Sequence, residues 1–186
     1  ADWRLATGDN IYLGSANLNK VIASKTKFKQ IIFERATVTN AGFQGAVITD
    51  SRWHKANLQN SNFHQGKIVE AQFNDASLVN TKFTNAQLER VTFVATELLE
   101  TKFNHAEISQ VQFADSILLS ANFEGATFDR VEFLDCNLQD VNFENTHWQN
   151  VTFTNCDLSG AVFSKAQGLS DEQKQYLRKH GALNVN

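Results

Sequence analysis

From Ile11 to Lys165 the chain divides into pentapeptides without insertion or deletion, beginning IYLGS, ANLNK, VIASK, TKFKQ, IIFER and ending CDLSG, AVFSK: 31 units in 155 residues. All fifteen Phe, from Phe28 to Phe163, occupy the third position of a unit. Random placement would put a Phe there about one time in five, so the frame is no accident. Trp53 and Trp148 share that position, and Trp3 does too if the frame is extended backwards. The first position is equally restricted: Ala, Val, Thr, Ser, Cys, Ile or, at Gly66, glycine. Second, fourth and fifth positions hold nearly all the polar and charged residues. One small and one large residue, two apart, suit an extended segment with both side chains pointing inward. The other three positions then turn a corner and face water. Neither helical spacing nor simple strand alternation yields a period of five.

A period of twenty lies above it. Every fourth centre from Leu13 gives Leu13, Phe33, Trp53, Phe73, Phe93, Phe113, Phe133 and Phe153. From Leu18 the column is aliphatic: Leu18, Val38, then leucine from Leu58 to Leu158. From Ala23 it becomes phenylalanine from Phe43 to Phe163, and the fourth column mixes Phe28, Ile48, Ile68, Leu88, Ile108, Phe128 and Trp148. Stacking like on like every twenty residues alternates aromatic and aliphatic sides around each turn, which fills a narrow interior without voids.

ANLNK, ANLQN, CNLQD, CDLSG and ANFEG nearly spell A(D/N)LXX, and the chain resembles the pentapeptide-repeat family over about five-sixths of its length. The resemblance implies an all-β fold, a right-handed quadrilateral parallel β-helix with four pentapeptides per coil. Nearly eight coils at ~4.8 Å per stacked strand predict a rod about 35–40 Å long. Residues 1–10, with Trp3 and Leu5, are expected to form an N-terminal partial coil, 11–165 the β-helix, and 166–186 a C-terminal helical cap. Stack ends expose a core and need such covers. Ser170 followed by Gln173 reads as a capping box, Tyr176 and Leu177 can pack on the last coil, and Gly181 is a natural stop.

Chemistry is sparse. Cys136 and Cys156 fall on the small inward position twenty apart, and read as buried free thiols rather than a disulfide or a zinc pair. The five His are scattered over outward or tail positions. Asn40, Asn60 and Asn80 share one corner and read as a turn ladder, since Asn tolerates positive φ. No phosphate loop, catalytic constellation, metal set or cofactor motif is expected, so the chain is read as a non-enzyme. Its 17 Lys+Arg against 20 Asp+Glu, a formal charge of −3, argue against direct nucleic-acid binding. No apolar run approaches a membrane span.

Charge by side leaves one candidate partner surface. The leucine side carries Glu97, Glu100, Asp140 and Asp157 against a single base, Lys20. The side of Phe43 to Phe163 carries Lys25, Lys82, Lys102 and Lys165 against Glu124 and Glu144. The expected function is a protein-interaction or scaffolding rod with an unidentified protein partner, as a whole protein or a module of a longer or secreted one. It would be a monomer, or a homodimer through an end of the rod. The alternative follows from the resemblance, since some family members bind DNA gyrase or topoisomerase as duplex-like acidic rods and give quinolone or toxin resistance. Compartment stays open: a cytoplasmic reading is preferred, with a secreted or matured fragment as the other.

Overall fold

A computed structural model describes residues 1–186. The strands are β1 (Thr7–Tyr12), β2 (Lys27–Ile32), β3 (Val47–Arg52), β4 (Lys67–Gln72), β5 (Gln87–Glu89), β6 (Thr92–Val94), β7 (Glu107–Ala114), β8 (Thr127–Leu134) and β9 (His147–Thr154). All pair in parallel with a register of twenty, as in Phe28↔Ile48 and Phe113↔Phe133. With β5 and β6 sharing one layer, the nine strands make eight layers of a β-solenoid. The other two sides stack through single parallel bridges, such as Asn17↔Thr37↔Asn57 and Ile22↔Gly42↔Asn62.

Corners follow from the five-residue unit. The first-position N–H donates back to the third-position carbonyl, as Ala46 does to Phe43 at 3.0 Å and Ala126 to Phe123 at 2.9 Å. The fifth residue of each unit then takes a positive φ near 55°, whether it is Asn80 (57°), Lys20 (59°), Glu70 (56°) or Arg90 (53°). The Asn ladder is thus one stretch of a conformation that every corner adopts.

One corner changes along the rod. Ala16, Ala36, Ala56 and Ala76 close it with the backbone bond. Thr96, Ser116, Cys136 and Cys156 follow in the same column, and there β7, β8 and β9 run on through the fourth position. Their side chains donate to the third-position carbonyl of the coil before: Thr96 Oγ1 to Phe73 at 2.8 Å, Ser116 Oγ to Phe93 at 3.0 Å, and both thiols to Phe113 and Phe133 at 3.4 Å. A polar first-position side chain thereby takes over carbonyls inside the wall.

The core is two aromatic ladders facing each other. Phe73, Phe93, Phe113 and Phe133 stack at centroid separations of 4.9–5.2 Å, and Phe83, Phe103 and Phe123 at 4.6–5.1 Å. Across the interior the ladders meet edge to face, as in Phe93 to Phe103 at 6.3 Å. Offset stacking within a ladder and T-contacts between ladders both suit the ring quadrupole. Leucines and the mixed column close the remaining two walls, all inward and buried.

At the C-terminal end lies α1 (Asp171–Lys179), opened by the expected capping box of Ser170 and Gln173. Leu177 is fully buried, Gln173 Nε2 donates to the Val151 carbonyl at 2.6 Å, and the chain returns as Leu183 to pair with Val162. At the other end Asp2 pairs with Ile22, and Trp3 meets Phe28 edge-on at 6.3 Å beside an apolar recess of about 200 Å³. No helix is long and apolar enough to cross a membrane.

Candidate partner-binding surfaces

Since the first and third positions fill the core, any functional side chain comes from the second, fourth or fifth. The wall offers these in columns, one residue per coil. On the leucine side, Glu97 and Asp157 stand in one second-position column with Ile117 and Asn137 between them. Glu100 and Asp140 stand in the fifth-position column, separated by Ser120. All four are exposed. The structure places the four on one side but disperses them along it, so they form a spaced acidic face rather than a carboxylate cluster.

Local contacts orient two of them. Ser159 donates from its hydroxyl and backbone N–H to Asp157 Oδ1 at 2.7 and 3.0 Å, and Gln139 Nε2 donates to Oδ2 at 2.6 Å. The Ser159 hydroxyl above all holds the Asp157 carboxyl below the usual carboxylate range. The Asp140 carboxylate lies over Gly160, which has no side chain to displace it.

Beyond the side-by-side reading lies a charge gradient along the axis. Residues 1–67 contain nine Lys/Arg and four Asp/Glu, whereas 68–165 contain five and fourteen. The acidic half also covers the adjacent Phe33 side, where Asp75, Asp115, Glu132 and Asp135 face outward with no Lys or Arg below Lys55. Tallying charge along the chain as well as by side would have revealed these residues. His54 Nδ1 lies 3.3 Å from Asp75 at the boundary between the halves.

Cys136 and Cys156 are free and buried in adjacent coils. The neighbouring Cys156 thiol, together with burial, pushes the Cys136 thiol up.

The family model for the pentapeptide repeat region matches residues 67–143 and 111–170, more than half of the chain. No curated protein matches. Among solved structures, the chain is similar to HetL, a pentapeptide repeat protein involved in heterocyst differentiation regulation in the cyanobacterium Nostoc. The two share 17% identity over 89% of this chain and 77% of that one, with a TM-score of 0.62, a likeness of fold. The full-length structure of QnrB1, a plasmid-mediated fluoroquinolone resistance protein, aligns over 96% of this chain and 98% of that one at 12% identity and a TM-score of 0.45.

Proposed function

The chain belongs to the pentapeptide-repeat family, and on that premise we propose that it is a non-enzymatic interaction rod whose leucine side docks a basic patch of a partner protein. The observation that carries this reading is the spaced acidic face of Glu97, Glu100, Asp140 and Asp157, unbroken by any base on that side beyond Lys20. A stack with a packed interior presents flat polar walls, and such walls suit protein contact better than small-molecule binding. Exposed carboxylates steer a basic partner and govern its on-rate.

Affinity capture from cells with the intact chain tests the proposal, run beside a chain carrying Glu97→Gln, Glu100→Gln, Asp140→Asn and Asp157→Asn. Proteins retained by the former and lost from the latter support it. Identical captures contradict it.

A second reading has its own observation. The base-poor stretch of 68–165, with its fourteen carboxylates, offers more continuous negative charge than the overall −3 suggests. A duplex-like acidic rod for a DNA-binding enzyme such as gyrase would use that stretch. Inhibition of gyrase supercoiling by the purified chain would support this reading, and no effect at micromolar protein would remove it.

A further inference from the structure

The Phe33 side is bounded by two corner columns whose charges change sign along the rod, in opposite senses. Number the layers one to eight from β1 to β9, with β5 and β6 together as layer five. Down the corner shared with the leucine side, layer two carries Arg35, layer three Lys55, layer four Asp75, layer six Asp115 and layer seven Asp135. Down the corner shared with the mixed side, layer three carries Asp50, layer four Glu70, layer five Arg90 and layer seven Arg130, with Arg90 also reaching Glu70 of its own chain at 2.9 Å. All nine are exposed fifth-position residues, held outward by the left-handed corner.

Now consider two copies meeting through this side about a two-fold axis that runs across it. Each corner column then faces its own reversed copy. With the rods in full overlap, layer one meets eight, two meets seven, three meets six and four meets five. Arg35 then faces Asp135, Lys55 faces Asp115 and Glu70 faces Arg90, each contact occurring twice by symmetry, while Asp75, Asp50 and Arg130 face the uncharged Ala95, Gln110 and Gln30. No like charges on these columns face one another. A shift of one layer in one direction sets Glu70 against its own copy, and in the other direction sets Arg90 against its own. A shift of two layers sets Asp50 against Glu70 in one direction and Asp75 against Asp135 in the other, and every shift of up to five layers brings like charges together.

We infer that the Phe33 side is a self-complementary interface, through which a second copy of this chain docks antiparallel. The register of twenty holds from one layer to the next, so the same columns recur along the length of the stack. A side about 35 Å long buries roughly 500 Å² per copy, near the lower end of specific interfaces, which makes the dimer reversible and sensitive to salt. The leucine side remains free in this dimer. Capture by that side and dimerisation therefore fail or succeed independently.

Sedimentation equilibrium tests the inference, with the wild-type chain expected to dimerise at about 0.02 M salt and to dissociate as salt rises towards about 0.5 M. One variant carries Arg35→Glu with Lys55→Glu, and a second carries Asp115→Lys with Asp135→Lys. Each alone places like charges across the interface and should weaken self-association at least about tenfold. Mixed one to one, they restore opposite charges at all the altered pairs and should form a heterodimer. The substitutions are on the exposed wall, and unchanged melting curves verify the fold. The wild-type salt series stands without them should either variant misfold. A chain that stays monomeric at low salt, a dimer indifferent to both reversals, or variants that do not rescue each other would overturn the inference.

Discussion

Ser51 Oγ accepts the indole N–H of Trp53 at 2.9 Å, with both side chains shut inside the core. The same device recurs where Trp148 Nε1 donates to Thr146 Oγ1 at 2.7 Å. Wherever tryptophan takes a buried third position here, the first position of the same unit supplies a hydroxyl. The larger ring therefore enters a phenylalanine column without stranding a donor.

Ser51→Ala should cost about 1–3 kcal/mol, because it leaves a buried N–H unpaired. Adding Trp53→Phe removes that donor, so the double variant should be more stable than the two single costs added together predict. Denaturant melts of the two single variants and the double variant measure the coupling; strict additivity would deny that the pair acts as a unit.

Phe103 packs face to face with Phe123 at 4.6 Å and edge-on to Phe113 at 6.2 Å. Phe103→Ala should destabilise by about 3–5 kcal/mol through the cavity it opens. Phe103→Leu keeps most of the volume and should cost less than about 2 kcal/mol. Thermal or urea melts distinguish the two, and equal, negligible losses would place position 103 outside the core.

Ala95 holds a left-handed φ of 52° with no polar side chain to bond locally. Ala95→Gly should raise stability by up to about 1 kcal/mol, since a left-handed L-residue is strained by about that amount. A lower melting temperature would mean that the corner is held by something other than backbone preference.

Legibility differed by level. The core could be read in advance because first and third positions repeat like on like, so Phe43 to Phe163 had to share one wall. The corners could be read only in part. Asn40, Asn60 and Asn80 advertise positive φ, but Lys20, Glu70 and Arg90 adopt it under the pull of the stacking around them. The corner switch at Thr96 is not legible in the repeat, because Ala, Thr, Ser and Cys all satisfy the same small-residue rule. Only hydrogen bonding separates them. At the candidate site, Glu97, Glu100, Asp140 and Asp157 were identified from one side's composition. Asp75, Asp115, Glu132 and Asp135 were not, because their meaning lies in how charge is distributed along the axis.

Asp157 should titrate below the ordinary carboxylate range in the folded chain, with Ser159→Ala moving it back up. A depressed carboxyl contributes stability above its unfolded pKa and loses it as pH falls through the folded one. The group is largely solvent-exposed, so the effect should be legible in an NMR titration before it is legible in a melt.

The central claim is that the interior holds the walls and the walls do the work. Partner capture by two altered chains tests it most directly. One carries the core change Phe103→Leu; the other carries Glu97→Gln, Glu100→Gln, Asp140→Asn and Asp157→Asn. The first should melt earlier yet keep its partner at temperatures where it is folded. The second should melt like the wild type and lose its partner. Loss by the core variant while folded, with retention by the neutralised wall, would contradict the account.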